Sequence, residues 1–234
     1  MKIFRYILIP IGLTLMSSHA RSQTFNAYDL TTASAGAGYT GNQNYGGTLG
    51  MEFDVNSQAI KVTALGIFDS NGDGFHNVLT TYLFNRDTHA LIASQDFSGT
   101  STATAGTLVG YHRFIDQGTG ILLGPGHYVI AAAKFSSADP EGNESIGGFV
   151  SDTFNSGGGL ISAVSPSLYA ELYLGPGAYP SSTFGSALAW NAGSFQYSLY
   201  VPEPSSVALM CSLAGVGGSM VLRRSRRRGP KKQA

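Results

Sequence analysis

Apolar and polar residues alternate with period two along much of the chain between residues 48 and 201. In Thr48–Val55, Leu49, Met51, Phe53 and Val55 alternate with Gly50, Glu52 and Asp54. In Ser194–Val201, Phe195, Tyr197, Leu199 and Val201 alternate with Ser194, Gln196, Ser198 and Tyr200. Leu168, Ala170, Leu172 and Leu174 alternate with Tyr169, Glu171 and Tyr173. Successive side chains of a strand point to opposite faces, so each run predicts a half-buried strand. Ile60–Phe68, Val78–Phe84, Ala90–Phe97, Leu108–Ile115 and His127–Phe135 predict further strands. Within Ile60–Phe68 the apolar phase switches between Ala64 and Leu65, which a β-bulge explains.

Turn signals separate these runs: Ser70-Asn71-Gly72-Asp73-Gly74, Asn85-Arg86-Asp87-Thr88, Gly124-Pro125-Gly126 and Gly157-Gly158-Gly159. No stretch of the body carries a sustained apolar stripe at helical spacing. Many short strands joined by Gly-rich turns predict an all-β, antiparallel β-sandwich or jelly-roll-like body. LGPGHY (123–128) and LGPGAY (174–179) echo each other. One echo is too little for a tandem repeat and is read as two similar turns. Thr31–Gly47, rich in Gly, Ala, Asn and Tyr, reads as an arm or loop, and Ser98–Thr107 as an exposed loop.

The chain has 234 residues and a formal net charge of zero, but the charges are segregated. Residues 24–200 hold four cations (Lys61, Arg86, Arg113, Lys134) and all the acids except Glu203, a net charge of −9. Such a body argues against nucleic-acid binding, which needs cationic surfaces to displace counterions. At the N-terminus, Lys2 and Arg5 precede the apolar Ile7–Met16, and Ser18-His19-Ala20 offers small residues for cleavage. This order reads as a secretory signal peptide over residues 1–20, with cleavage as late as residue 23. The single cysteine, Cys211, lies outside the body. The body therefore has no disulfide, and a domain of its length buries enough core without one.

Asp69-Ser70-Asn71-Gly72-Asp73-Gly74 matches the first half of a calcium loop, with oxygen ligands at alternate positions and glycine at the sharp turn. The position for the bidentate glutamate is Thr80, and the flanks read as strands. The competing reading is an Asx-type turn whose polar side chains cap their own backbone. If calcium binds, Asp69, Asn71 and Asp73 are its expected ligands; no other cofactor is expected. The body histidines, His76, His89, His112 and His127, show no zinc spacing. No nucleophile elbow or phosphate loop is present. Glu52 and Asp54 share one strand face, where solvated acids are the expected arrangement. Tyr39, Tyr45, Tyr111, Tyr169 and Tyr173 are candidates for stacking on sugars, with packing as the default for strand aromatics.

The C-terminal region has three parts: Val201-Pro202-Glu203-Pro204, the apolar run 205–222, and a basic tail 223–234 that includes Arg223, Arg224, Arg226, Arg227 and Arg228. Eighteen residues of helix span about 27 Å, just enough for a hydrocarbon core. The arginines keep the C-terminus cytoplasmic under the positive-inside rule. An ordinary stop-transfer helix has the same hydropathy. In order and content these parts resemble the PEP-CTERM sorting signal of Gram-negative bacteria. The resemblance implies recognition by an exosortase, a membrane-embedded transpeptidase that cleaves near the motif. It also implies transient insertion in the inner membrane and delivery to the cell surface or matrix, often beside exopolysaccharide. The catalytic residues of that step belong to the exosortase. Leu49-Gly50-x-x-Phe53, Val62–Asp69, Gly72-Asp73-Gly74, Leu91–Ser94 and Gly126-x-Tyr128-Val129-Ile130-x-Ala132 resemble a β-sandwich domain of unknown function common in such exported proteins. In relatives a leucine follows Gly-Asp-Gly; here Phe75 takes its place. This second resemblance supplies no catalytic residues.

The expectation is an exported, exosortase-processed, non-enzymatic protein of the cell surface or matrix, with its β-sandwich over residues 24–200. A carbohydrate-binding module contacting exopolysaccharide is the alternative, and a secreted hydrolase ranks below both.

Overall fold

The computed structural model describes residues 23–30, 40–146 and 153–202. The predicted signal peptide, the apolar run 205–222 and the basic tail lie outside the described residues. Among those residues, no helix is long and apolar enough to cross a membrane.

The chain is all-β. Its strands are β1 (Phe25–Asn26), β2 (Tyr28–Asp29), β3 (Thr48–Val55), β4 (Ile60–Phe68), β5 (Phe75–Asn85), β6 (Leu91–Gly99), β7 (Thr107–Val109) and β8 (His112–Leu123). They continue as β9 (Gly126–Ala133), β10 (Gly142–Asn143), β11 (Thr153–Phe154), β12 (Ile161–Ala170), β13 (Ser182–Phe184), β14 (Trp190–Asn191) and β15 (Gly193–Leu199). Two antiparallel sheets form a sandwich. One has the order β1-β15-β4-β8-β7 and the other β13-β12-β3-β9-β5-β6. Two small ribbons, β10-β14 and β11-β2, accompany them.

The inward residues of both sheets meet in one core. Met51, Phe53 and Val55 of β3, Leu79 and Leu83 of β5, and Ile130 and Ala132 of β9 face Ile60, Val62, Leu65 and Ile67 of β4 and Phe195 and Tyr197 of β15. Phe53 and Phe195 join the sheets with ring centroids 4.6 Å apart, and Tyr128 stacks on Phe53 at 5.6 Å. Buried tyrosines keep their hydroxyls satisfied, as an apolar core requires. Tyr28 donates to the Glu52 carbonyl at 3.2 Å and Tyr197 to the Asn155 carbonyl at 2.7 Å. Thr81 on β5 donates across the sandwich to the Gly66 carbonyl at 2.8 Å.

The predicted bulge is present at Thr63. Val62 pairs with Tyr197 and Ala64 with Gln196, so Thr63 is the extra residue that lets both Val62 and Leu65 face the core. The opposite neighbour bulges more: Ile121 pairs with Val62 but Asp116 with Ala64. The predicted strand Leu108–Ile115 is instead two strands, β7 and the start of β8, joined at Gly110, where φ is +62°. The strand predicted through Leu174 stops at Ala170, and Leu172–Leu174 forms a turn of 3₁₀ helix. The last strand ends at Leu199 rather than Val201.

That 3₁₀ turn starts a segment that crosses the outer face of the six-stranded sheet and returns as β13 on β12. Beneath it lies a second apolar cluster: Phe84, Val129, Ala131 and Leu168, with Tyr82 and Tyr179 packed on it. Gly177 (φ +88°) donates to Thr48 Oγ1 at 2.9 Å. A Cβ there would sit 2.8 Å from the Tyr82 hydroxyl, and one on Gly50 would sit 2.8 Å from Pro180. Both glycines are needed for the segment to lie this close.

Truncating the residue that joins the sheets tests this account of the core. Phe53→Ala is expected to lower unfolding stability by about 3–5 kcal/mol, read as a lower urea midpoint at unchanged slope.

Candidate functional site

Asp69, Asn71 and Asp73 lie on the turn between β4 and β5, but their side chains do not converge. Asp69 is fully buried. Its carboxylate accepts the Gly74 N–H at 3.0 Å and pairs with the guanidinium of Arg113. Arg113 also donates to the carbonyls of Gly72 (3.0 Å) and Gly106 (3.2 Å). The positive charge around which this loop folds is thus a guanidinium from β8. Burial raises the Asp69 pKa although Arg113 opposes it. Asn71, at φ +68°, accepts a hydrogen bond from Thr40 at 2.7 Å, and Asp73 is exposed. Among the described residues, no group of three His, Cys, Asp or Glu side chains is placed to hold a metal ion.

Glu52 and Asp54 part company on the outer face of β3. Glu52, expected to be solvated, is buried under the crossing segment and pairs with Arg86 at 2.7 Å. Burial raises its pKa, and Arg86 pulls the other way. Asp54 pairs with exposed His127 at 2.6 Å, and that hydrogen bond raises the histidine's pKa. Beside them Tyr179 stacks on His89 at 3.8 Å and meets Phe84 edge-on at 5.5 Å. Each of the two carboxylates is thus engaged, Glu52 by a guanidinium and Asp54 by an imidazole.

Of the tyrosines singled out for sugars, Tyr39 lies outside the described residues. Tyr45 and Tyr169 pack edge to face at 6.2 Å, and the Tyr45 hydroxyl donates to the Ala170 carbonyl. Tyr111 is half-buried. Only Tyr173 among the described ones stands out in solvent, at 83% exposure. Of the expected sorting motif, Val201 and Pro202 are described and exposed. Glu203, Pro204 and the five arginines lie outside the described residues.

The sequence reading passed over two buried acids. Asp139 accepts the N–H groups of His76 (2.8 Å) and Asn77 (2.9 Å), where β5 leaves its ladder with β6. Glu141 is fully buried; one oxygen accepts the Tyr45 N–H at 3.1 Å and the other has no hydrogen-bond partner. Burial pushes its pKa up from 4.5 to about 7. No spacing in the sequence announces either acid, since each answers backbone groups contributed by distant segments.

No protein-family model matches the chain, and no curated protein matches it. Among solved structures it is similar to the VP2 subviral particle of infectious bursal disease virus, at 16% identity and a TM-score of 0.26 over 86% of this chain and 47% of that one. The T=1 particles derived from the same virus give 15% identity and a TM-score of 0.26, over 86% of this chain and 45% of that one. The chain spans under half the length of these capsid proteins, and a likeness this slight locates no site.

Two stability measurements test these assignments. Arg113→Met, which leaves Asp69 buried without its countercharge, is expected to lose about 3–5 kcal/mol. Calorimetry on this variant should therefore show a large drop in melting temperature. Glu141 binds its proton more tightly folded than unfolded. Its contribution is whole below pH 4.5 and fades as pH rises through about 7. The span amounts to about 3 kcal/mol. Glu141→Gln should flatten the pH dependence of unfolding between these limits; an unchanged slope would assign that dependence to other groups.

Proposed function

We propose that this chain is an exported protein, sorted by an exosortase to the cell surface or extracellular matrix, where its β-sandwich serves a structural rather than catalytic role. The supporting observation is where the fold stops. β15 closes its sheet at Leu199, and the next residues, Tyr200 and Val201, are 37% and 65% exposed. Pro202 then denies the backbone an amide with which to extend the ladder. The start of the Val-Pro-Glu-Pro sequence is thus unpaired backbone, the form in which a processing enzyme meets a substrate.

The structural role is supported by the employment of the acids. Asp69 and Glu52 hold guanidinium groups, and Asp139 holds backbone amides. Hydrolysis by paired carboxylates needs two that flank a substrate bond. In this reading calcium is dispensable, because Arg113 already supplies the charge inside the turn.

Expression with and without an exosortase, followed by intact-mass spectrometry, tests the proposal. With the enzyme, the chain should lose its arginine-rich end. Replacing Pro202 and Pro204 together by alanine should preserve the full mass. Identical masses with and without the enzyme would refute the sorting route.

A further inference from the structure

An open groove of about 510 Å³ runs beside the N-terminal strands. Phe25 and Asn26 of β1, Asp29 of β2, Phe154 of β11 and the following Asn155 form its working surface. Two aromatic rings, two amides and one carboxylate therefore share one concave surface of the size that holds a small ligand.

These groups are fixed before any ligand arrives. Phe25 is backed by buried Tyr197 at 5.5 Å, and Phe154 by buried Tyr28 at 5.3 Å. The Asn26 side chain accepts from Gln196 at 3.1 Å and donates to Asp29 Oδ2 at 3.3 Å, which fixes its orientation. Asp29 Oδ1 turns inward, 3.9 Å from the ring of buried His112, so the carboxylate presents Oδ2 to the groove. The Asn155 backbone is tied at both ends, its N–H to the Ala27 carbonyl (3.0 Å) and its carbonyl to the Tyr197 hydroxyl (2.7 Å). Side chains ordered in advance reduce the entropy lost on binding.

We infer that this groove binds a neutral oligosaccharide. The lining decides the class. Among the described residues it contains one carboxylate and no cationic side chain, in a body of net charge −9, which disfavours acidic sugars and phosphates. Amides and a carboxylate are donors and acceptors suited to hydroxyl groups. Aromatic rings offer flat apolar surface to the C–H face of a sugar, as they do to other apolar surfaces. The groove is open rather than enclosed, which suits a chain of sugars. The inference is independent of the sorting route and gives the carbohydrate-binding alternative a location away from the tyrosines first considered.

Saturation-transfer NMR and titration calorimetry on the full, unprocessed chain in detergent test it, with cello-, manno- and laminari-oligosaccharides as probes. Oligogalacturonate serves as the acidic comparison and choline as the cationic one. At least one neutral probe should bind saturably, and neither comparison should. Phe154→Ala should weaken binding about tenfold or more, the scale of one lost packing or hydrogen-bonding contact. Thr153→Trp fills the groove from an exposed position and should abolish binding while leaving the melting temperature unchanged. No binding by any neutral probe would overturn the inference. Binding that survives both substitutions would overturn the location, and binding of oligogalacturonate or choline alone would overturn the ligand class. Because no exosortase enters the experiment, its outcome leaves the sorting proposal untouched.

Discussion

β3 and β9 lie in the middle of the six-stranded sheet and are buried on both faces. The inner face of a sandwich is always covered by the opposite sheet, but here the outer face is covered too. That constraint organises much of the molecule. The cover is the segment between β12 and β13, and it lies flat only because Gly50 and Gly177 leave room for Pro180 and Tyr82. Glu52, caught beneath the cover, must bring a countercharge with it, and Arg86 supplies one from the end of β5. An unpaired carboxylate in that position would be far costlier than the pair.

The same rule governs the ends of the sandwich. Loops that pass near a core expose backbone groups that need partners, and buried acids provide them. Asp69 gathers Gly74 and Arg113, and through Arg113 the carbonyls of Gly72 and Gly106. Asp139 gathers the first residues of β5. These acids do locally what a ladder does along a strand. Glu141 has one oxygen unmatched, and its burial raises its pKa to about 7.

Strand positions were legible in the sequence wherever alternation is undisturbed. Thr48–Val55 and Ile60–Phe68 form strands with the expected ends, and the phase switch at Ala64 and Leu65 does mark a bulge. Alternation misled at Leu172 and Leu174, because period two describes side-chain chemistry and cannot register that Gly175-Pro176-Gly177 turns the chain over a sheet. The burial of Glu52 was invisible for a related reason: its cover lies more than a hundred residues away. Arg113 was the legible clue that passed unused. A guanidinium inside the apolar run Leu108–Ile115 implies a buried partner, and Asp69 is that partner. The groove beside β1 had no linear signature, since residues 25–29 and 153–155 meet only in the folded chain.

β15, the last strand, sits between β1 and β4 in the five-stranded sheet, where Phe25 pairs with Tyr197 and Leu65 with Phe195. A chain made from its N-terminus onward therefore holds an incomplete sheet until its last body residues emerge. Both β1 and the exposed edge of β4 wait for the same late segment. Contacts between sequence-distant strands form slowly, and an open strand edge is a site of mispairing while it waits. With β15 inserted between β1 and β4, completion of the five-stranded sheet is among the last events open to a chain that emerges from its N-terminus.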